Sequence, residues 1–217
     1  MTRRILTLIS ALAIVGLSTA PAVALDLRKS AASSTPAPAA VPAVTAADRI
    51  MGRADAPVTV IEYASFTCSH CAEWTNEVLP QFKARYIDTG KARLVFRDMP
   101  TAPAQIASTA AGIGRCAAPG RFFDVARAFM SGQAAAFEKG DARDWFTTAI
   151  AASGRTQEQI ETCLKAPATS QALQTEVEGA VAAGVTGTPS FFVNGKRVSD
   201  HSLDALSAAI DPLIRAR

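Results

Sequence analysis

The first strongly apolar stretch of the main body of the chain is Val58-Thr59-Val60-Ile61-Glu62-Tyr63-Ala64. It lies behind Pro57 and is rich in β-branched residues, which predicts a buried strand. The period then changes. Trp74, Val78, Phe82 and Tyr86 recur every fourth residue, with Cys71 and Leu79 on a neighbouring face. That spacing predicts an amphipathic helix over about 69–87. Pro80 removes a backbone donor inside it and should kink it. Residues 92–97, Ala-Arg-Leu-Val-Phe-Arg, alternate as a second strand that stops before Met99-Pro100. Strand, helix and strand in this order predict a right-handed βαβ unit.

From about 103 to 183 the chain becomes alanine-rich, with breaks at Pro119-Gly120, Gly140, Gly154 and Pro167. Four or five short helices fit there. The strand pattern returns at Ser190-Phe191-Phe192-Val193, and Asn194-Gly195 then separates it from Lys196-Arg197-Val198. Asn-Gly between two such runs is a hairpin signal. A last helix, with Ser202 as N-cap, carries Leu203, Leu206, Ile210 and Leu213 on one face. The expected fold class is α/β, in the order βαβ, helical insert, ββα, with no internal repeat.

The polar–apolar pattern is different at the start. Arg3 and Arg4 precede an apolar core from Ile5 to Leu17, and Ala22-Val23-Ala24 follows. This is the layout of a cleaved secretory signal over residues 1–24. The core is too short to span a bilayer, and Pro21 interrupts any extension, so no stable membrane insertion of the mature protein is expected. Residues 25–47 are rich in Ala, Pro, Ser and Thr and predict a linker. The folded domain is placed at 48–217. Without the two signal arginines, 20 basic residues face 19 acids, a formal charge of +1. So even a balance gives no reason to expect a nucleic-acid partner.

Four cysteines in an exported protein point first to disulfide chemistry. Cys68-Ser69-His70-Cys71 could instead be half of a zinc site, but tetrahedral zinc needs four ligands, usually two close pairs. Cys116 and Cys163 stand 47 apart, and the chain has only His70 and His201 besides. No metal is therefore expected. A purely structural Cys68–Cys71 bridge would close too small a loop to constrain the unfolded chain much. Placed where a strand feeds a helix, Cys68 meets free backbone N–H groups and the helix dipole, which favour a thiolate. His70 can add a donor or a positive charge. Cys71, one turn inward, should be buried. The pair reads as redox-active, with an exposed attacking sulfur and a protected resolving one, and no other cofactor is needed.

At this point the chain resembles a known family. APVTVIEYASFTCSHCAEW, with GVTGTPSFFVNG far downstream, is similar to the DsbA-type thiol:disulfide oxidoreductases of the thioredoxin superfamily. The resemblance covers essentially residues 48–217 and implies a thioredoxin fold with an inserted helical subdomain. It makes Cys68 the nucleophile and Cys71 the resolving cysteine. It implies a cis peptide at Thr188–Pro189 beside the active site, with the Thr188 backbone facing an extended substrate. Glu62, on the face of Val58 and Val60, matches an acid beneath the site that takes part in proton transfer. Cys116 and Cys163, either two buried free thiols or a bridge, are assigned as a structural disulfide.

The implied activity is a periplasmic oxidant that donates its Cys68–Cys71 disulfide to unfolded exported proteins. A DsbB-like membrane quinone reductase would re-oxidise it. Thr188 and Ser69 depart from the archetypal oxidant, which has a valine and a proline there. A disulfide isomerase or reductase on the same fold is therefore the alternative. A non-enzymatic binding module with a spectator bridge is the alternative of another class.

Overall fold

A computed structural model describes residues 39–215. The expected signal and residues 25–38 of the expected linker lie outside the described residues. Five strands form one sheet: β1 (Arg49–Met51), β2 (Val58–Ala64), β3 (Ala92–Asp98), β4 (Ser190–Val193) and β5 (Lys196–Val198). Their order is β1-β3-β2-β4-β5. β2 and β3 run parallel with Val60 opposite Leu94, as a βαβ crossover requires. β4 is antiparallel to β2, with Val193 opposite Val60. Between β4 and β5, Asn194 and Gly195 both have positive φ, 45° and 81°. Such a two-residue turn matches the twist of the flanking strands.

The helical segment 69–87 is not uniform. α1 (Ser69–Glu73) and α2 (Leu79–Phe82) are each followed by a π turn, Trp74–Val78 and Lys83–Ile87. The Leu79 N–H reaches back five residues to Trp74 O, so the ladder has already changed register where Pro80 brings no donor. The wide turns also explain the four-residue spacing. Each such step overshoots an α-helical turn by about 40°, and a π turn absorbs the excess. Trp74, Phe82 and Tyr86 thus stay buried together, while Val78 is only half-buried.

The insert consists of α3 (Ala104–Arg115), α4 (Phe122–Lys139), α5 (Arg143–Ala152), α6 (Gln157–Lys165) and α7 (Pro167–Ala182). Gly140, at φ 66°, ends α4 in the left-handed conformation. A reciprocal Thr156–Gln159 capping box starts α6, and Pro167 opens α7. In α8 (Leu203–Arg215) the Ser202 hydroxyl accepts the Ala205 N–H at 3.2 Å. Leu206 and Ile210 are buried, but Leu213, expected on the same face, is 37% exposed. Pro212 lies inside this last stretch, and Ile214 packs on the core instead.

One sheet face buries Val58, Val60, Leu94 and Phe191 against Trp74, Phe82, Leu206 and Ile210. The other buries Ile61, Tyr63, Val95 and Phe192 against Ala180 and Val185. A third cluster joins Phe66 and Phe96 to Val125, Phe129 and Trp145 of the insert. Phe66, just past β2, has its ring 5.5 Å from Phe96 and 5.0 Å from Phe129. The insert is therefore packed directly on the end of β2, where the cysteine pair begins.

The expected domain start at 48 moves earlier. Ala39 N–H bonds to Ala182 O at 2.8 Å, and Val41 and Val44 pack on the Ile61–Tyr63 face. The buried Arg97 guanidinium donates to the Pro42 and Ala43 carbonyls and pairs with Asp48 at 2.8 Å. Residues 39–47 are thus held by one backbone N–H, two valines and the carbonyls that Arg97 reaches, which their composition does not reveal. The strand that follows, β1, was not expected either. Its Arg49 meets Asp98 at 2.7 Å and Glu176 at 2.9 Å, and Arg115 meets the same two acids at 3.1 and 2.6 Å. This buried cluster joins β1, β3, α3 and α7.

Candidate active site

β2 ends at Ala64, and the chain turns through Ser65-Phe66-Thr67 before Cys68 caps α1. Hydroxyls hold that turn. Ser65 Oγ accepts the Thr101 N–H at 3.1 Å and lies 3.0 Å from Thr67 Oγ1, which is 3.2 Å from Thr101 Oγ1. The Cys68 N–H donates to Ser65 O at 3.1 Å. Cys68 itself has extended backbone, φ −87° and ψ 119°, and its carbonyl accepts the Ala72 N–H at 3.1 Å. Its sulfur therefore sits over the unpaired N–H groups of the first turn.

Both thiols are free, Cys68 half-buried and Cys71 buried. The Cys68 thiol donates to Thr188 O at 3.2 Å, across the cis Thr188–Pro189 peptide. The Thr188 hydroxyl is buried, and the Cys68 sulfur is the group it can bond. The hydrogen bond from the Cys71 thiol pulls the Cys68 pKa down to about 5, opposed by burial and helped by the Thr188 hydroxyl and then by the backbone N–H groups of Cys71 and His70. Burial pushes Cys71 far the other way, reinforced by its bond to Cys68 and by Glu62. At neutral pH the dithiol thus holds one thiolate and one proton, on different sulfurs.

Glu62 lies on β2 opposite Phe96 and Phe191, completely buried. Burial first, and the Cys68 charge second, raise its pKa to about 8, and its Oε1 has no partner. It is a neutral, unbonded acid beneath a charged sulfur. The His70 ring is exposed, with its centroid 6.4 Å from that of His201, and the His70 backbone N–H serves the sulfur.

Cys116 and Cys163 are bonded to each other, with Cα atoms 5.8 Å apart, and tie the end of α3 to α6. Arg155, Glu158, Gln159 and Thr162 line a cleft beside them. Among the described residues no group of three or more His, Cys, Asp or Glu is placed to hold a metal ion, and no helix is long and apolar enough to cross a membrane. Sequence reasoning missed the Ser65–Thr67–Thr101 hydroxyls and Gln133, whose Nε2 reaches Phe66 O at 2.7 Å and Cys68 O at 3.1 Å. Nothing in their spacing from Cys68 could have singled them out.

A family model described as thioredoxin matches residues 44–212. The chain belongs to the thioredoxin family. Within that family it is 30% identical over 169 residues to a putative protein-disulfide oxidoreductase of Rickettsia bellii, covering 77% of this chain and 64% of that protein. The chain thus spans less than two thirds of that curated relative. Wolbachia pipientis alpha-DsbA1 shares the fold, with a TM-score of 0.70 at 24% identity, over 80% of this chain and 94% of the other. A structure described as protein-disulfide isomerase from Novosphingobium aromaticivorans matches with a TM-score of 0.66 at 26% identity, over 77% of this chain and 97% of that one. The thioredoxin-family fold with a helical insert is therefore common to this chain and DsbA-type proteins.

Proposed function

We propose that this thioredoxin-family protein is an exported thiol:disulfide oxidoreductase that passes its Cys68–Cys71 disulfide to proteins folding in the periplasm. One observation carries the reading: Cys68 caps the N-terminus of α1, half-buried and 3.2 Å from the Thr188 carbonyl of the cis Thr188–Pro189 peptide, while Cys71 is buried within the first turn, a placement that favours a thiolate outside and a thiol inside. A substrate thiolate attacks Cys68 Sγ, the Cys68–Cys71 bond breaks, and Cys71 leaves and takes a proton from Glu62. The second substrate thiolate then attacks the substrate sulfur of the mixed disulfide. Cys68 departs as a thiolate already stabilised by the helix N-terminus, two electrons have moved to the enzyme, and the substrate holds the new disulfide. A good leaving group at Cys68 favours donation over reduction.

Re-oxidation belongs, on this reading, to a DsbB-like membrane quinone reductase, and the linker and signal serve export. The second reading, an isomerase or reductase, is favoured by Thr188 before Pro189 and by the likeness to the Novosphingobium protein-disulfide isomerase structure. A redox titration against glutathione separates the two. The oxidant should lie near the ~−120 mV of strongly oxidising members, and a value near ~−270 mV would reverse the direction of the exchange. A binding module would show no thiol exchange at all.

A further inference from the structure

A side chain of the helical insert hydrogen-bonds the backbone of the cysteine pair. Gln133 lies within α4 and is only 4% exposed. Its Nε2 donates to Phe66 O at 2.7 Å and to Cys68 O at 3.1 Å. Two carbonyl acceptors require the NH₂ end of the amide, so its orientation is fixed by chemistry. A second amide runs the other way. Asn76, in the π turn after α1, donates through Nδ2 to Met130 O of α4 at 3.2 Å. The insert and the segment carrying Cys68 are thus clasped by two side-chain amides crossing in opposite directions.

The acceptor at Cys68 matters because of what the same peptide group does next. The Cys68 carbonyl also receives the Ala72 N–H, the first bond of the helix. Two hydrogen bonds to one carbonyl restrain the tilt of this peptide plane, and the backbone that follows continues from it. The N–H groups of His70 and Cys71 lie in that backbone. Hydrogen-bonded carbonyls also polarise the peptides in line with them.

We propose that Gln133 is a positioning residue for the exchange reaction: from the helical insert it holds the Cys68 carbonyl, and so keeps the first N–H groups of α1 aimed at the Cys68 sulfur. The inference rests on Cys68 being the nucleophile, as argued above. Gln133 touches neither substrate nor sulfur, and a simple packing role would alter stability alone.

The test titrates Cys68 by the pH dependence of alkylation in the reduced full chain. Gln133→Met keeps the side-chain volume but deletes both donors. It should raise the Cys68 pKa by roughly one pH unit, the size expected for losing one hydrogen bond that favours the thiolate. Alkylation at pH 5 should slow by roughly five- to ten-fold. Gln133→Glu, which turns a carboxyl toward two carbonyls, should raise the pKa at least as far and make the protein a weaker oxidant. Phe129→Leu thins the same core without touching the amide and should leave the titration in place. A folded Gln133→Met or Gln133→Glu protein whose Cys68 titration superimposes on the wild type would overturn the proposal. Should neither variant fold, nuclear magnetic resonance of the wild type decides. Both Gln133 side-chain amide protons should exchange slowly, and exchange at the free-amide rate would overturn it. An ordinary thiol pKa in the wild type would instead remove the functional reading beneath it.

Discussion

The two cysteine pairs sit in opposite settings within one chain. Cys68 and Cys71 stand two residues apart at the end of a strand, on the first turn of a helix, with a buried acid below them. Cys116 and Cys163 stand 47 apart and staple two helices of the insert. Near Cys68, N–H groups and a neighbouring thiol favour charge, while burial holds Cys71 neutral. The insert pair has no titration left to tune, because both sulfurs are committed to each other. Reactivity here is set by where the backbone ends a strand and starts a helix, and stability by how long a loop the bond closes.

The largest break in that comparison should come from removing sulfurs from each pair in turn. Cys68→Ser should reduce disulfide exchange with a model dithiol at least about a thousand-fold, since it removes the sulfur proposed as the nucleophile. The double change Cys116→Ser with Cys163→Ser should leave that rate within a few-fold and instead lower unfolding stability by about 2–4 kcal/mol. Comparable losses of exchange in both proteins would erase the distinction between the pairs.

A second, smaller effect should come from Glu62→Gln. Without an ionisable acid, resolution of a mixed disulfide by Cys71 should slow by about 10²-fold in stopped-flow traces. The same change should stabilise the fold at alkaline pH. A carboxyl whose folded pKa is raised to about 8 contributes most below its ordinary value, and that contribution is lost as pH rises through 8. The glutamine variant should therefore gain on the wild type between about pH 4.5 and 8, by roughly 3–5 kcal/mol at the upper end. No gain would mean that Glu62 ionises freely. The smallest effect is expected at His70. Its ring is exposed, so His70→Ala should move the Cys68 titration by less than about half a pH unit.

The same contrast governs what could be read in the chain. Residues 58–64 and 92–98 announce their strands, and Asn194-Gly195 its turn, because period and turn chemistry are local. The cysteine pair was legible for the same reason: strand end, helix start and thiol spacing are consecutive. The segment before β1 was not, since Arg97 holds it through the carbonyls of Pro42 and Ala43, which any residue would offer. Pro80 was legible as a break in the helix, but the π turn just before it was not. Gln133 is 65 residues from Cys68 and acts on a carbonyl, so no pattern near the cysteines could mark it. Leu213 shows the limit of helical spacing near a chain end, where Pro212 intervenes.

The most direct test of the account compares denaturant unfolding of the reduced and oxidised proteins across pH. The helix N-terminus and the Cys71 thiol stabilise a Cys68 thiolate only in the folded, reduced state, and the disulfide offers them no charge. With the folded pKa depressed to about 5, that stabilisation is fully present above the unfolded thiol value of ~8.5, shrinks as pH falls, and is lost through pH 5. The reduced protein should be more stable than the oxidised one at pH 7, with the difference vanishing near pH 4. An oxidised form that is the more stable at pH 7, or a difference that does not change with pH, would contradict it.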